Sequence, residues 1–321
     1  MSIPPISDSV HEGFHAGQLR SFEYAQVDVF AESALEGNML AIFIDARGLT
    51  TEEMQALARE TNLAETTFIV PREAEVEAAH GVKVRIFTVQ EELKFAGHPT
   101  LGTASWLYWN HPVFRGAETI TLDLPVGPIP VRFDQAEEGR AGIAGTMQQN
   151  APVFGKIHDR GAVAEALGIS VEDIMVDPPV QTVSTGMAFC IVALRSLEVA
   201  KRLSIPQAKA QAYLAKTDAK FFYCVTRAAE GSEADWHNRM QFYNGEDPAT
   251  GSASGCAISW LVRHGLAKSG QRIVFEQGVE INRPSRIEVS AAFSTGVGPI
   301  PDLVFVGGRT IPVAMGRFFL P

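Results

Sequence analysis

Short runs rich in Val, Ile, Phe and Thr, separated by turn residues, predict strands near 24–30, 39–44, 66–70, 82–87 and 118–133. Two helices interrupt them. The first, near 51–62, follows Thr50, which stands three residues before Glu53 in a capping-box pattern. The second, near 98–109, carries Leu101, Ala104, Trp106, Leu107 and Trp109 around its circumference. A helix with so little polar face belongs inside a fold. The second half repeats the plan, with strands expected near 188–194, 221–226, 238–243, 272–276 and 286–290 and helices near 160–167, 206–215 and 252–264. The last of these helices is again apolar nearly all round.

The two apolar helices open alike, with KFAGHPTLGTASWL at 94–107 and PATGSASGCAISWL at 248–261. Gly251 lies 154 residues after Gly97, and the same offset aligns Arg85 with Arg239, Phe68 with Phe222, Trp106 with Trp260 and Leu107 with Leu261. Because the chain has only 4 tryptophans, a Ser-Trp-Leu shared at that offset points to an internal duplication. A fainter echo, GNMLAIF at 37–43 against GMAFCIV at 186–192, has an offset of 149, so a short insertion or deletion separates the copies. Each half is expected to wrap a sheet around one buried helix. The polar, Gly-containing stretch 134–150 is the expected boundary.

A length of 321 residues also favours two domains. The division expected is a leader at 1–20, a first domain at 21–148, a second at 149–305, and a C-terminal strand within 306–321, near 311–316, that can return to the first domain. With 27 Lys and Arg against 37 Asp and Glu, the net charge is −10, and no basic stripe tracks phosphates, so nucleic acid is not an expected partner. No apolar run approaches the length of a membrane span. Residues 1–20 lack the basic start and apolar core of a signal peptide, and a cytoplasmic location is expected. Cys190, Cys224 and Cys256 form no CxxC and read as small buried apolar residues.

Candidate chemistry begins at the two helix starts. Unpaired backbone N–H groups and the helix dipole make Gly97-His98 and Gly251-Ser252 potential anion cradles; glycine there equally suits a tight strand-to-helix turn. His98 can donate to a ligand or act as an acid, or be satisfied by local backbone. Asp247, in NGEDPATG, reads as a site carboxylate or as a turn residue. Glu65, in NLAETTFIV, shares a strand face with Leu63 and Thr67. It is either a solvated strand-end residue or a half-buried carboxylate with a raised pKa, suited to proton transfer. His11-Glu12-Gly13-Phe14-His15 matches H-E-x-x-H, but in a polar, glycine-containing tail it reads as a chance match, so no metal is expected.

At these residues the chain resembles the PhzF-like family of phenazine-biosynthesis isomerases, which share the diaminopimelate-epimerase fold. The matching stretches are GNMLAIF at 37–43, NLAETTFIV at 62–70, RIFTVQEELKFAGHPTLGTA at 85–104, GEDPATGSA at 245–253 and EQGVEINRPS at 276–285. The resemblance implies an α+β fold of two pseudo-symmetric domains, each a curled, mostly antiparallel sheet around a central helix, with the active site between them. It implies a homodimer, no cofactor and a small carboxylate-bearing substrate. Glu65 would be the proton-shuttling base, His98 and Asp247 would assist and bind substrate, and Gly97 and Gly251 would line the site. Asn38, Pro99 and Ser252, in the matching stretches, are expected to bind substrate. Related epimerases use two cysteines; those positions here are Ala96 and Thr250, which excludes two-cysteine racemisation. The phenazine enzyme itself acts on trans-2,3-dihydro-3-hydroxyanthranilate, moving the C3 proton to C1. Two other classes are a non-catalytic carboxylate-binding protein and, through His11 and His15, a zinc hydrolase.

Overall fold

A computed structural model describes residues 19–243, 245–296, 298 and 300–321. The first half comprises β1 (Arg20–Val29), β2 (Asn38–Phe43), α1 (Thr51–Thr61), β3 (Glu65–Ile69), α2 (Ala74–His80), β4 (Val82–Phe87), β5 (Glu92–Leu93), α3 (Gly97–Asn110), β6 (Thr119–Leu124), β7 (Gly127–Phe133) and β8 (Ile143–Gln149). The second comprises β9 (Val153–Ile157), α4 (Arg160–Leu167), β10 (Gln181–Ser184), β11 (Ala188–Ala193), α5 (Leu197–Arg202), α6 (Gln207–Leu214), β12 (Phe221–Arg227), β13 (Trp236–Arg239), β14 (Gln241–Phe242), β15 (Gly245–Glu246), α7 (Gly251–Arg263), β16 (Ile273–Gln277), β17 (Ser285–Ala292) and β18 (Leu303–Leu320).

The strand pairing repeats. In the first half β2 and β3 run parallel, β3 and β4 antiparallel, β4 and β6 parallel, and β6 and β7 antiparallel. In the second, β11 with β12, β12 with β13, β13 with β16 and β16 with β17 follow the same series. Each parallel step passes through a crossover, and the β4-to-β6 and β13-to-β16 crossovers are α3 and α7. The curled sheets close over these two helices, whose residues 97–107 and 251–262 are buried almost throughout. Side chains such as Leu101 and Trp260, at 0% exposure, each contribute about 1.5–3 kcal/mol by leaving water. Gly102 permits the close fit: a Cβ there would lie 2.7 Å from Leu40 and 2.8 Å from Val29.

β18 joins the halves. Its first part pairs with β17 and β8, and Thr310–Leu320 pairs with β1, so sixteen strands form one continuous sheet.

α1 has the anticipated cap: the Thr50 hydroxyl accepts from Glu53 N, the Glu53 carboxylate accepts from Thr50 N, and Asn62 ends the helix in the left-handed region. The structure departs from the sequence reading in several places: α2, α5, β5, β9 and β10 have no expected counterpart. Residues 118–133 form two strands, not one. The 238–243 strand is divided into β13 and the small β14–β15 hairpin. The polar stretch 134–150 contains β8, whose alternate residues Ile143, Gly145, Met147 and Gln149 face inward. Small and polar side chains disguised that period.

Candidate active site

Four loops converge between the halves and enclose a cavity of about 910 Å³. Asn38 enters at the start of β2, Glu65 at the start of β3, His98 in the first turn of α3, and Asp247 directly after β15. All four line the cavity, with Gly97, Gly251 and Ser252. Pro99 does not: it is buried one residue deeper in α3 and is absent from the cavity wall. His11 and His15 lie outside the described residues, and among the described residues no group of His, Cys, Asp and Glu is placed to hold a metal.

The two helix starts almost touch. A Cβ on Gly97 would lie 3.2 Å from Ser252 N and 3.4 Å from Gly251 C, so the N-terminal amides of α3 and α7 face one shared space. Their summed dipoles favour an anion there. Two glutamines fix the α7 start. Gln149 Nε2 donates to Gly251 O at 3.0 Å, and its Oε1 accepts from Thr185 at 2.7 Å. Gln277 bonds Thr250 and the Asp247 carbonyl. Sequence reasoning missed both as site residues. Gln149 sat in the supposed boundary and no local pattern marks it; the stretch containing Gln277 was visible only as a resemblance.

Glu65 is half-buried and its Oε2 lies 3.5 Å from His98 Nε2. Burial, with the nearby Asp247 charge adding to it, raises the Glu65 carboxyl to about 8. Burial lowers His98 to about 3 against a weaker opposing contribution from the Met39 backbone, so the imidazole is neutral. Its Nδ1 lies 3.4 Å from Asn38 Nδ2, while Nε2, buried and facing Glu65, makes no hydrogen bond among the described residues. Asp247 is raised to about 6 by burial, opposed by hydrogen bonds from Thr250, Asn38 and the Ala249 backbone. Two carboxyl groups therefore have separated proton affinities beside a neutral imidazole, an arrangement that can lift a proton from carbon and return it.

The remaining wall is largely apolar. Phe221, Phe242 and Tyr243 pack their rings together at centroid distances of 5.5–6.3 Å, and Met187 and Phe189 line the cavity beside them. Ala96 and Thr250 are the residues capping α3 and α7. The three cysteines are buried, and burial raises their thiols far above neutrality, which leaves them chemically inert.

Among the described residues no helix is long and apolar enough to cross a membrane. The model of the phenazine biosynthesis-like protein family PhzC-PhzF matches residues 27–316. A curated relative, trans-2,3-dihydro-3-hydroxyanthranilate isomerase of Pseudomonas aeruginosa, is 33% identical over 92% of this chain and 99% of its own length. Among solved structures, a predicted epimerase from Pseudomonas aeruginosa superposes with a TM-score of 0.77 at 34% identity, over 92% of this chain and 99% of its own. A probable proline racemase from Agrobacterium radiobacter shares the fold at a TM-score of 0.65 and 12% identity, over 94% of this chain and 93% of its own. With the repeated sheets and the cleft between two helix starts, these likenesses make the chain a member of the phenazine biosynthesis-like PhzC-PhzF family, an isomerase of the diaminopimelate-epimerase-like fold.

Proposed function

We propose that the protein catalyses a cofactor-independent isomerisation of a small carboxylate-bearing substrate, moving one proton and one double bond, in a cleft between units at 21–148 and 149–305. The observation that carries this reading is the Glu65–His98–Asp247 group beside the paired starts of α3 and α7. The substrate carboxylate sits on the helix amides, within reach of Ser252. In its ionised form, Glu65 takes a proton from the carbon next to the activating group and returns it to another carbon of the same π system. The product is the shifted alkene or enol, which tautomerises to the ketone. Neutral His98 and Asp247 hold the substrate's amino and oxygen groups and relay protons. No oxidant or reductant is needed, because the reaction only relocates a proton and an electron pair.

Trans-2,3-dihydro-3-hydroxyanthranilate, the substrate named for the relative at 33% identity, is the first compound to test, with C3 as donor carbon and C1 as acceptor. Incubated with the protein in deuterated water, it is expected to be consumed, with deuterium entering the product wherever Glu65 exchanges its proton before delivering it. Absorbance and NMR follow both events. No consumption would reject this compound as substrate. We also propose a homodimer: sedimentation velocity should give twice the chain mass of 34.8 kDa, and a monomer at working concentration would refute it.

A further inference from the structure

Asp247 is held by a buried hydrogen-bond chain whose direction can be worked out donor by donor. Gln277 is 0% exposed and its amide meets backbone groups at both ends. Its Oε1 lies 3.3 Å from Thr250 N, which can only donate, and its Nε2 lies 2.7 Å from Asp247 O, which can only accept. These two contacts fix which end is oxygen and which is nitrogen. Tyr223 adds a donated bond to Oε1 at 2.9 Å. The second Nε2 hydrogen must then point at Thr250 Oγ1, 2.9 Å away.

With Oγ1 accepting from Gln277, the Thr250 hydroxyl proton has one acceptor among its bonded partners, Asp247 Oδ2 at 2.5 Å. The other carboxylate oxygen, Oδ1, faces Asn38 Nδ2 at 2.8 Å. That amide is oriented in its turn by Ala249 O at 2.9 Å. A proton on Asp247 Oδ2 would leave the buried Thr250 hydroxyl hydrogen without an acceptor.

We infer that Gln277 and Thr250 are positioning residues which fix Asp247 in the cleft as an acceptor-only carboxylate, and that the charge so placed adds to burial in holding the resting proton on Glu65. This rests on reading Glu65 and Asp247 as the proton-handling pair. Both residues act through Asp247, and neither is assigned a bond to the reacting carbon. Glu65 from β3, Tyr223 from β12 and Glu246 from the β14–β15 hairpin bear on Asp247 directly, and His98 from α3 reaches it through Asn38. Glu246 is itself bound by Arg239. Glu65 and Asp247 both titrate near neutrality and line the cavity, so they respond as a coupled pair.

The test uses the free protein and needs no substrate. Glutamate labelled at its side-chain carboxyl carbon is followed by NMR as pH is varied, and the Glu65 signal is assigned by its loss in Glu65→Gln. The parent should titrate near 8. Thr250→Val removes the donor while keeping the shape, and its Glu65 midpoint should fall by about one unit or more as Asp247 gives up its charge. Thr250→Ser should restore the parental midpoint. A purely structural role predicts equal midpoints in folded Thr250→Val and parent, and that result would overturn the inference. Failure of Thr250→Ser to restore it would do the same. Should Thr250→Val not fold, Gln277→Met, which frees the Thr250 hydroxyl, gives the second reading: a downward shift supports the inference and an unmoved midpoint rejects it. Lack of turnover with the dihydroanthranilate would count against the proposed reaction alone and would leave this titration decisive.

Discussion

Glu65→Gln is expected to lower kcat by roughly 10²–10⁴-fold, the range lost when a positioned acid-base group is removed, while KM changes little. Gln keeps the side chain's length and polarity but cannot carry a proton between two carbons. In the parent, kcat/KM should rise with pH along limbs set by the coupled Asp247–Glu65 pair, near 6 and 8. Stability should move the opposite way from activity. The folded-state value of Glu65, about 8, exceeds the ordinary carboxylate value of 4.5, so the folded protein holds a proton that the unfolded chain has released between those limits. The parent therefore loses stability as pH rises from about 4.5 through 8, by at most about 5 kcal/mol. Glu65→Gln escapes this loss. Urea denaturation should show the variant's advantage growing across that window and level above it. A constant difference between variant and parent would show that Glu65 is not held protonated by the fold, and full turnover by the variant would remove Glu65 as the proton carrier.

Arg239→Met is expected to destabilise the protein by about 3–5 kcal/mol, whereas Arg85→Met, its counterpart in the duplication, should cost about 1 kcal/mol or less. The two arginines make the same ion pair. Arg85 pairs with Glu92, and Arg239 pairs with Glu246, seven residues on in both cases. Their surroundings differ: side-chain exposure is 22% and 33% for the first pair but 5% and 8% for the second. Removing Arg239 strands the Glu246 charge and weakens the hold on Glu280, 3.5 Å away, while the carbonyl of Ala200 loses a donor. Because Glu246 directly precedes Asp247, the variant should also lose up to about 100-fold in kcat/KM through misplacement of the site carboxylate. Arg239→Lys should rescue only part of either loss, since an ammonium cannot make the two-pronged contact. Equal destabilisation by Arg85→Met and Arg239→Met, measured in urea, would refute the burial argument.

Much of this architecture was legible in the sequence because its strongest signals are local. α3 and α7 announce themselves as core helices by being apolar all round, and the shared offset of their glycines and tryptophans marks the duplication. The alternation of Leu63, Glu65 and Thr67 left Glu65 either a solvated strand end or a half-buried carboxylate, and the structure has it half-buried. What stayed hidden depends on partners far along the chain. β8 takes its place from β7 and from β18, more than 150 residues away, and its own residues carry only a weak period. The aligned arginines are equivalent in sequence, yet only packing makes one pair buried and the other exposed. Thr250 was informative first as a position without cysteine; its bond to Asp247 depends on Gln277, contributed by another strand.

The course of β18 also sets an order of events during synthesis. β1 leaves the ribosome well before its partners from Thr310 to Leu320. At about 5–20 residues per second, the roughly 290 residues between them take about 15–60 s to make. Throughout that interval the amide and carbonyl edge of β1 that will meet β18 has no strand beside it. Such an edge invites pairing with neighbouring nascent chains on the same message. A premature stop before Thr310 would make that exposure permanent, so the cell's quality-control machinery should meet such truncated copies as aggregation-prone chains.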